Sequence, residues 1–321
     1  MTDMSTTMVM DTTHDAMHHS GSATGGQDLT GSGSTTLAKA VAMQQEMHSG
    51  GGHSGHDSAL MNLFPDAGAA GTAVAVKGGS WFDAATWANG KVPGAGDDVY
   101  IPKGISVVYD DVSKASLGTV GVDGGLHFAV DTDTRMVVDT LVTGNASVLT
   151  IGAEGNPVQS GVSAEIVIAD NGPIDLSADP TQLGRGVVTN GKVEIQGASK
   201  APYLKLAEEP EAGDNVLMLE GDVGSWQVGD SLVVMGTEYV GNDKNGVLQT
   251  QDEEVTIVSI NAKTGAVTLD KPLKYDHTTP DYAGREGIDN ELSVYVGNST
   301  RNVTFSSENP EGVRGHVMFR H

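Results

Sequence analysis

The sequence predicts an all-β protein of short stacked strands behind a disordered N-terminal tail. Three observations carry that expectation. From Val74 onward the chain reads as short β-prone runs punctuated by Gly, Asn and Asp. Of 321 residues 38% are apolar but only 5% aromatic, so Val, Ile and Leu rather than rings must fill the core. Glycine supplies 43 residues without a collagen period, well above the usual ~7%, as a chain that turns often requires.

Residues 1–59 are rich in Gly, Ser, Thr, Met and His and have no sustained apolar period. Such a composition buries too little surface to offset chain entropy, so a disordered tail is expected, with room for one short helix around Leu37–Met47. The start lacks the basic-then-apolar arrangement of a signal peptide. Export is therefore expected to use another route, such as a signal beyond residue 321.

The region 74–200 follows. Its runs include Asp98-Val-Tyr-Ile101, Ser147-Val-Leu-Thr-Ile151 and Glu165-Ile-Val-Ile168. Three segments share one formula, a small turn pair followed by alternating β residues: Gly124-Gly-Leu-His-Phe128, Gly144-Asn-Ala-Ser-Val148 and Asn190-Gly-Lys-Val-Glu-Ile195. Their spacing is close to one and two turns of a solenoid with rungs of about 20–25 residues. A sandwich also gives short strands at regular intervals, so spacing alone leaves both open. In the solenoid, Leu126, Phe128, Val148, Val193 and Ile195 point into one core.

A small β-block is expected over 201–285. It contains Gly224-Ser-Trp-Gln-Val-Gly-Asp230 and a hairpin, Glu254–Ser259 and Ala266–Leu269 around a Gly-containing loop. Residues 286–321 resume strand character and stop inside Arg314-Gly-His-Val-Met-Phe-Arg-His321. That ending suggests a fragment.

Composition also limits function. With 18 Lys and Arg against 42 Asp and Glu the net charge is −24, which repels phosphate backbones and anionic lipid. No run reaches the ~18 apolar residues of a membrane span. Cysteine is absent, which removes disulfides, thiolate metal sites and Cys nucleophiles. Nucleic acid and membrane insertion are not expected. A Gly-rich, Cys-free, acidic chain suits a bacterial secreted or surface β-protein.

The most specific stretch is Gly79-Ser-Trp-Phe-Asp-Ala-Ala-Thr-Trp87, then Gly90-Lys-Val-Pro-Gly-Ala-Gly-Asp-Asp-Val-Tyr-Ile-Pro102. Trp81 and Trp87 are candidate sugar-stacking platforms; as structure they form a hydrophobic lid on the end of a solenoid, the stronger reading. Asp97 or Asp98 can satisfy loop amides ahead of the strand. This stretch resembles the opening of the G-eight domain found in cell-surface hyaluronidases and fibrocystin-type receptors. The resemblance continues at Gly124-Gly-Leu, Asn190-Gly-Lys-Val-Glu-Ile-Gln-Gly197 and Trp226-Gln-Val-Gly-Asp-Ser-Leu-Val-Val234. It implies a right-handed parallel β-helix, pectin-lyase-like, whose entry is Arg314–Phe319, and extracellular carbohydrate binding or processing. The vertebrate hyaluronidases carry an extra domain before the Trp-x-x-Gly-Asp segment. Here only a short stretch separates Gly197 from Asn215, so functions resting on that domain do not carry over.

The remaining candidates are sparser. His14, His18, His19, His48, His53 and His56 sit among tail methionines, and imidazole with thioether suits a late transition metal. The block His14, His18, His19, His53 and His56 is the metal candidate, although its spacing specifies no geometry. Asp110-Asp111, Asp131-Thr-Asp133 and Asp170-Asn-Gly172 with Asp175 could ligate calcium, but solvated turns explain them better. No cofactor is firmly implied; calcium is the one considered. His316 is the catalytic candidate, an acid or base for a glycosidic bond with Arg314 holding a uronate. Residues 271–321 carry six Lys/Arg and seven Asp/Glu, so a polyanionic glycan is repelled least there. The function expected is extracellular polysaccharide or glycosaminoglycan binding, possible front end of a degrading enzyme. The rival is a structural or adhesive surface β-solenoid. The sequence does not give the oligomeric state.

Overall fold

The structure is a computed structural model describing residues 33–49, 59–177, 179–279 and 293–320. The chain divides into two units, Met1–Ala198 with Asn302–His321, and Ser199–Arg301.

The first unit contains β1 (Thr72–Val74), β2 (Gly79–Ser80), β3 (Asp98–Ile101), β4 (Ser106–Tyr109), β5 (Val112–Val122), β6 (Gly125–Phe128), β7 (Thr134–Thr143), β8 (Ser147–Ile151), β9 (Ala164–Ile168) and β10 (Gly186–Ile195). They make a curled sheet with two parallel ladders, β1-β3-β5-β7-β10 and β2-β4-β6-β8-β10. Each Gly- or Asn-containing turn carries the chain from one ladder to the other. At Gly124 the turn is so tight that a Cβ would lie 2.2 Å from the Ile105 carbonyl oxygen and 2.4 Å from that of Pro102. Only glycine fits there.

The pairing register decides which side chains are inside. Val107, Leu126, Leu149 and Val193 lie in one row, and Tyr109, Phe128, Ile151 and Ile195 in the next. Both rows belong to the main core, where full burial of one such side chain is worth about 1.5–3 kcal/mol. The parallel stacking and four of the five expected core residues agree with the sequence reading. Val148 does not: it pairs with Gly125, one residue out of phase with the buried row.

A helix, α1 (Leu37–Ser49), covers the outer face of the other ladder. Val74, Tyr100, Gly121, Val142 and Val188 form a row across that face. Ala40 and Ala67 pack on Val74 and Tyr100, while Leu60 packs on Val142 and Val188. At Gly121 a Cβ would stand 2.7 Å from Pro65 and 2.9 Å from Phe64, so the segment lies directly on the sheet. Gln44 fixes the helix: its amide donates to the Pro65 carbonyl at 2.8 Å and its oxygen accepts from the Ala67 amide at 2.8 Å. The short helix expected around Leu37–Met47 is α1, and these polar contacts dock it on the sheet; most of 1–59 lies outside the described residues.

The second unit is a closed antiparallel barrel of β11 (Tyr203–Leu206), β12 (Val216–Glu220), β13 (Ser231–Val234), β14 (Glu253–Asn261), β15 (Ala266–Leu269) and β16 (Tyr295–Asn298). The order is β11-β12-β15-β14-β13-β16. Leu217, Leu219, Trp226, Leu232, Ile257 and Val267 are among its core. The expected hairpin is β14–β15. Asp230 of the Trp-x-x-Gly-Asp segment accepts from the Lys200 ammonium at 2.6 Å, the Asn298 amide at 2.8 Å and the Gln227 backbone at 2.9 Å. It thus ties the first and last residues of the barrel together. Burial alone would raise its pKa, but these donors, Lys200 foremost, hold it below the ordinary carboxylate value.

After the barrel the chain rejoins the first unit. Asn302 accepts from the Ala198 amide at 2.9 Å and donates to the carbonyls of Val158, Gln159 and Val162. Then β17 (Val303–Ser307) pairs parallel to β9 and β18 (His316–Arg320) parallel to β10. The last stretch expected from sequence, 286–321, is thus split: Tyr295–Asn298 closes the barrel and the parallel strands start at Val303.

Candidate functional site

Trp81 and Trp87 are buried, with 1% and 2% exposure. The Trp87 indole N–H donates to the Trp81 carbonyl at 2.7 Å, and the rings meet edge to face at 4.8 Å. Trp81 also contacts Tyr109 at 5.2 Å. A short 3-10 turn, Ala84–Thr86, capped by Asp83 brings the two rings together. With no exposed face, neither ring can stack on a sugar; they cap the core. Asp97 accepts from the Gly94 amide at 2.8 Å and orders the loop, whereas Asp98 accepts from the Thr119 amide of β5 at 2.7 Å and ties β3 to β5.

These features lie within or just before a stretch that matches a known family, the G8 domain, over residues 86–207. Over that stretch the chain is similar to the G8 domain. It is 26% identical over 235 residues to human Fibrocystin-L, covering 72% of this chain and 5% of that protein. A G8 domain-containing protein of Dictyostelium discoideum is 27% identical over 251 residues, 74% of this chain and 16% of the relative. Mouse Fibrocystin-L is 25% identical over 234 residues. The chain thus spans a small part of these relatives. The G8 match starts beside Trp87, leaves Trp81 outside, and ends just past the first barrel strand.

The other sequence candidates do not converge. The His14, His18, His19, His53 and His56 set lies outside the described residues. Among the described residues no group of three or more His, Cys, Asp or Glu could hold a metal. The aspartate clusters serve turns: Asp110 accepts from the Ser80 hydroxyl, Asp111 from the Val112 amide and Asp133 from the Ser163 amide. Arg314 is exposed and its Nε donates to the Pro310 carbonyl at 2.6 Å. His316 stands beside Gly186 in β10, and its Nε2 is buried without a hydrogen-bond partner. The residue as a whole is half-buried.

Two polar clusters were not anticipated. Arg185 is 4% exposed with a left-handed φ of 56°. It pairs with Asp139 at 3.2 Å and donates to the Gly172 carbonyl, pinning the β9–β10 loop. Asp123, fully enclosed, accepts from the Tyr100 hydroxyl at 2.6 Å and meets His48 Nε2 of α1 at 3.1 Å. Burial first, and Asp123 second, push the Tyr100 pKa far up. Both clusters are inward-facing and structural.

The outer barrel face is different. Tyr295, Lys205 and Glu220 lie in one row across β16, β11 and β12, and Tyr203 precedes Lys205 by two residues on the same side. The two tyrosines are 61% and 38% exposed and meet edge to face at 5.6 Å. Opposite Tyr203 stands Gly297, which leaves the floor beside the ring flat. Lys205 and Glu220 pair at 3.3 Å. They open into a depression of about 300 Å³ lined also by Glu208, Glu209, Thr279 and Ser293. Hydrogen bonds from Thr279 hold the Glu209 pKa below its ordinary value. The sequence carried a signal: in Tyr203-Leu-Lys-Leu206 the tyrosine falls on the outward, polar phase of a strand.

Proposed function

We propose that the chain is an extracellular carbohydrate-binding part of a larger G8 protein, with the outer face of the barrel as its contact surface. The observation that supports this reading is the exposed Tyr203–Tyr295 pair, held on two adjacent strands beside a polar depression. Tyrosine offers an apolar face for the C–H side of a pyranose and a hydroxyl at its rim, while the nearby carboxylates accept from sugar hydroxyls. Strands hold such groups more firmly than loops do. The described residues include no helix long and apolar enough to cross a membrane. We also read the two parallel ladders of the first unit as turns of a right-handed β-helix. The test is a glycan array followed by calorimetry with wild type, Tyr203→Ala and Tyr295→Ala. Binding that both substitutions weaken supports the reading; binding indifferent to both refutes it.

A further inference from the structure

Resting on that reading, we infer that this site takes an uncharged oligosaccharide rather than a polyanionic glycan. The argument is one of charge at close range. Among the described residues around the depression, Glu208, Glu209 and Glu220 face one cation, Lys205. That cation is already engaged, with its ammonium 3.3 Å from the Glu220 carboxylate. Hydrogen bonds from the Thr279 side chain and then its backbone amide lower the Glu209 pKa and so favour the carboxylate over the acid. Among the described lining residues a uronate entering here would find no unengaged ammonium or guanidinium and would meet carboxylates of its own sign. Two like charges at about 4 Å repel by about 1 kcal/mol even in bulk water, and the chain's net charge of −24 adds to that field.

Neutral sugars reverse the balance. Ionised carboxylates only accept hydrogen bonds, and pyranose hydroxyls donate them. Lys205 has three donors, so with one on Glu220 two remain for ring or hydroxyl oxygens. The Tyr295–Lys205–Glu220 row crosses two strand spacings, about 10 Å, so an aromatic contact at one end and a carboxylate at the other fit a disaccharide lying across the strands. Gly297 beside Tyr203 keeps the floor free of side chains, as a ring stacked flat on tyrosine needs.

The experiment uses the full chain and three probes: chitohexaose and cellohexaose, both uncharged, and a hyaluronan hexasaccharide. Calorimetry is run at low and high salt, with wild type, Tyr203→Ala and a Lys205→Gln variant. The expected result is binding of an uncharged hexamer, weakened about tenfold by Tyr203→Ala, with the same affinity at low and high salt, and no binding of hyaluronan. Lys205→Gln keeps a donor and so retains most of the affinity. If hyaluronan binds instead, with affinity that falls with salt and is lost in both Tyr203→Ala and Lys205→Gln, the site is a glycan site of the opposite class. The inference then fails while the proposed function stands. If none of the probes binds and the array is blank, both fail together. Binding of uncharged glycans that Tyr203→Ala leaves unchanged places the site elsewhere and also overturns the inference.

Discussion

Replacing Trp87 by alanine tests the capping role assigned to the Trp pair. The ring is 2% exposed, so its whole apolar area returns to a cavity; core truncations of this size cost about 3–5 kcal/mol. Within that sum, the edge-to-face contact with Trp81 accounts for about 0.5–1.5 kcal/mol. The indole hydrogen bond to the Trp81 carbonyl accounts for about 1 kcal/mol, or more if the carbonyl is left buried and unpaired. For a unit of this size, each kcal/mol moves the midpoint by about 2–4 °C, giving a loss of about 6–20 °C. Trp87→Phe keeps most of the area but loses the N–H, so it should fall between wild type and alanine. The assay is differential scanning calorimetry with near-ultraviolet circular dichroism to follow the coupled indoles. A Trp87→Ala protein that melts at the wild-type temperature but loses glycan affinity would refute the reasoning, because a buried cap cannot behave so.

Four further outcomes follow. Asp230→Ala leaves the Lys200 ammonium, 11% exposed, without its carboxylate, and should destabilise the barrel by about 3–5 kcal/mol in urea titration. Glu253 is also diagnostic: burial alone would raise its pKa, but the Lys274 amide, His277 and the Tyr275 amide together lower it. A depressed carboxyl stabilises the fold above its unfolded pKa of about 4.3 and loses that stabilisation as pH falls through the folded value. The urea midpoint of the barrel should therefore drop on acidification below about pH 4, and Glu253→Gln should flatten that slope. Deleting residues 1–49 uncovers Val74 and Tyr100, so it should lower the melting temperature and raise dye binding to exposed apolar surface. Incubation with high-molecular-weight hyaluronan should yield no fragments by size exclusion, with wild type and His316→Ala behaving alike.

Much of the parallel sheet was legible because its turns are local. Gly124-Gly125 and Asn190-Gly191 announce where each strand begins, and the alternation after them fixes Leu126, Phe128, Val193 and Ile195 on the core side. Val148 was misplaced for a concrete reason. The turn Gly144-Asn-Ala-Ser147 is longer than Gly124-Gly125, so the alternation resumes one residue later, and with a period of two that moves the row to Leu149 and Ile151. The barrel was legible only at its hairpin, since β11 closes on β16 across a wide gap in sequence that no local pattern encodes. Helix α1 was underread because its attachment rests on Gln44 and His48, polar side chains whose partners at Pro65, Ala67 and Asp123 are invisible to composition. The candidate site was less legible because tryptophan is the larger stacking ring; burial encloses Trp81 and Trp87 and leaves the tyrosines of β11 and β16 outside.

The insertion of a closed barrel between β10 and β17 bears on the order in which the chain folds. Strand β17 must find β9, and Asn302 must find Ala198, 104 positions away. Closing an unstructured loop of that length costs about 4 kcal/mol in chain entropy, against about 1.4 kcal/mol for a loop of a few residues. A barrel that forms first removes most of that difference. Asp230 already holds Lys200 next to Asn298, so the two ends leave the barrel side by side. Late docking of β17 and β18 then behaves as a local event, and the slow step of assembly becomes closure of the barrel itself, where β11 must wait for β16 to be reached.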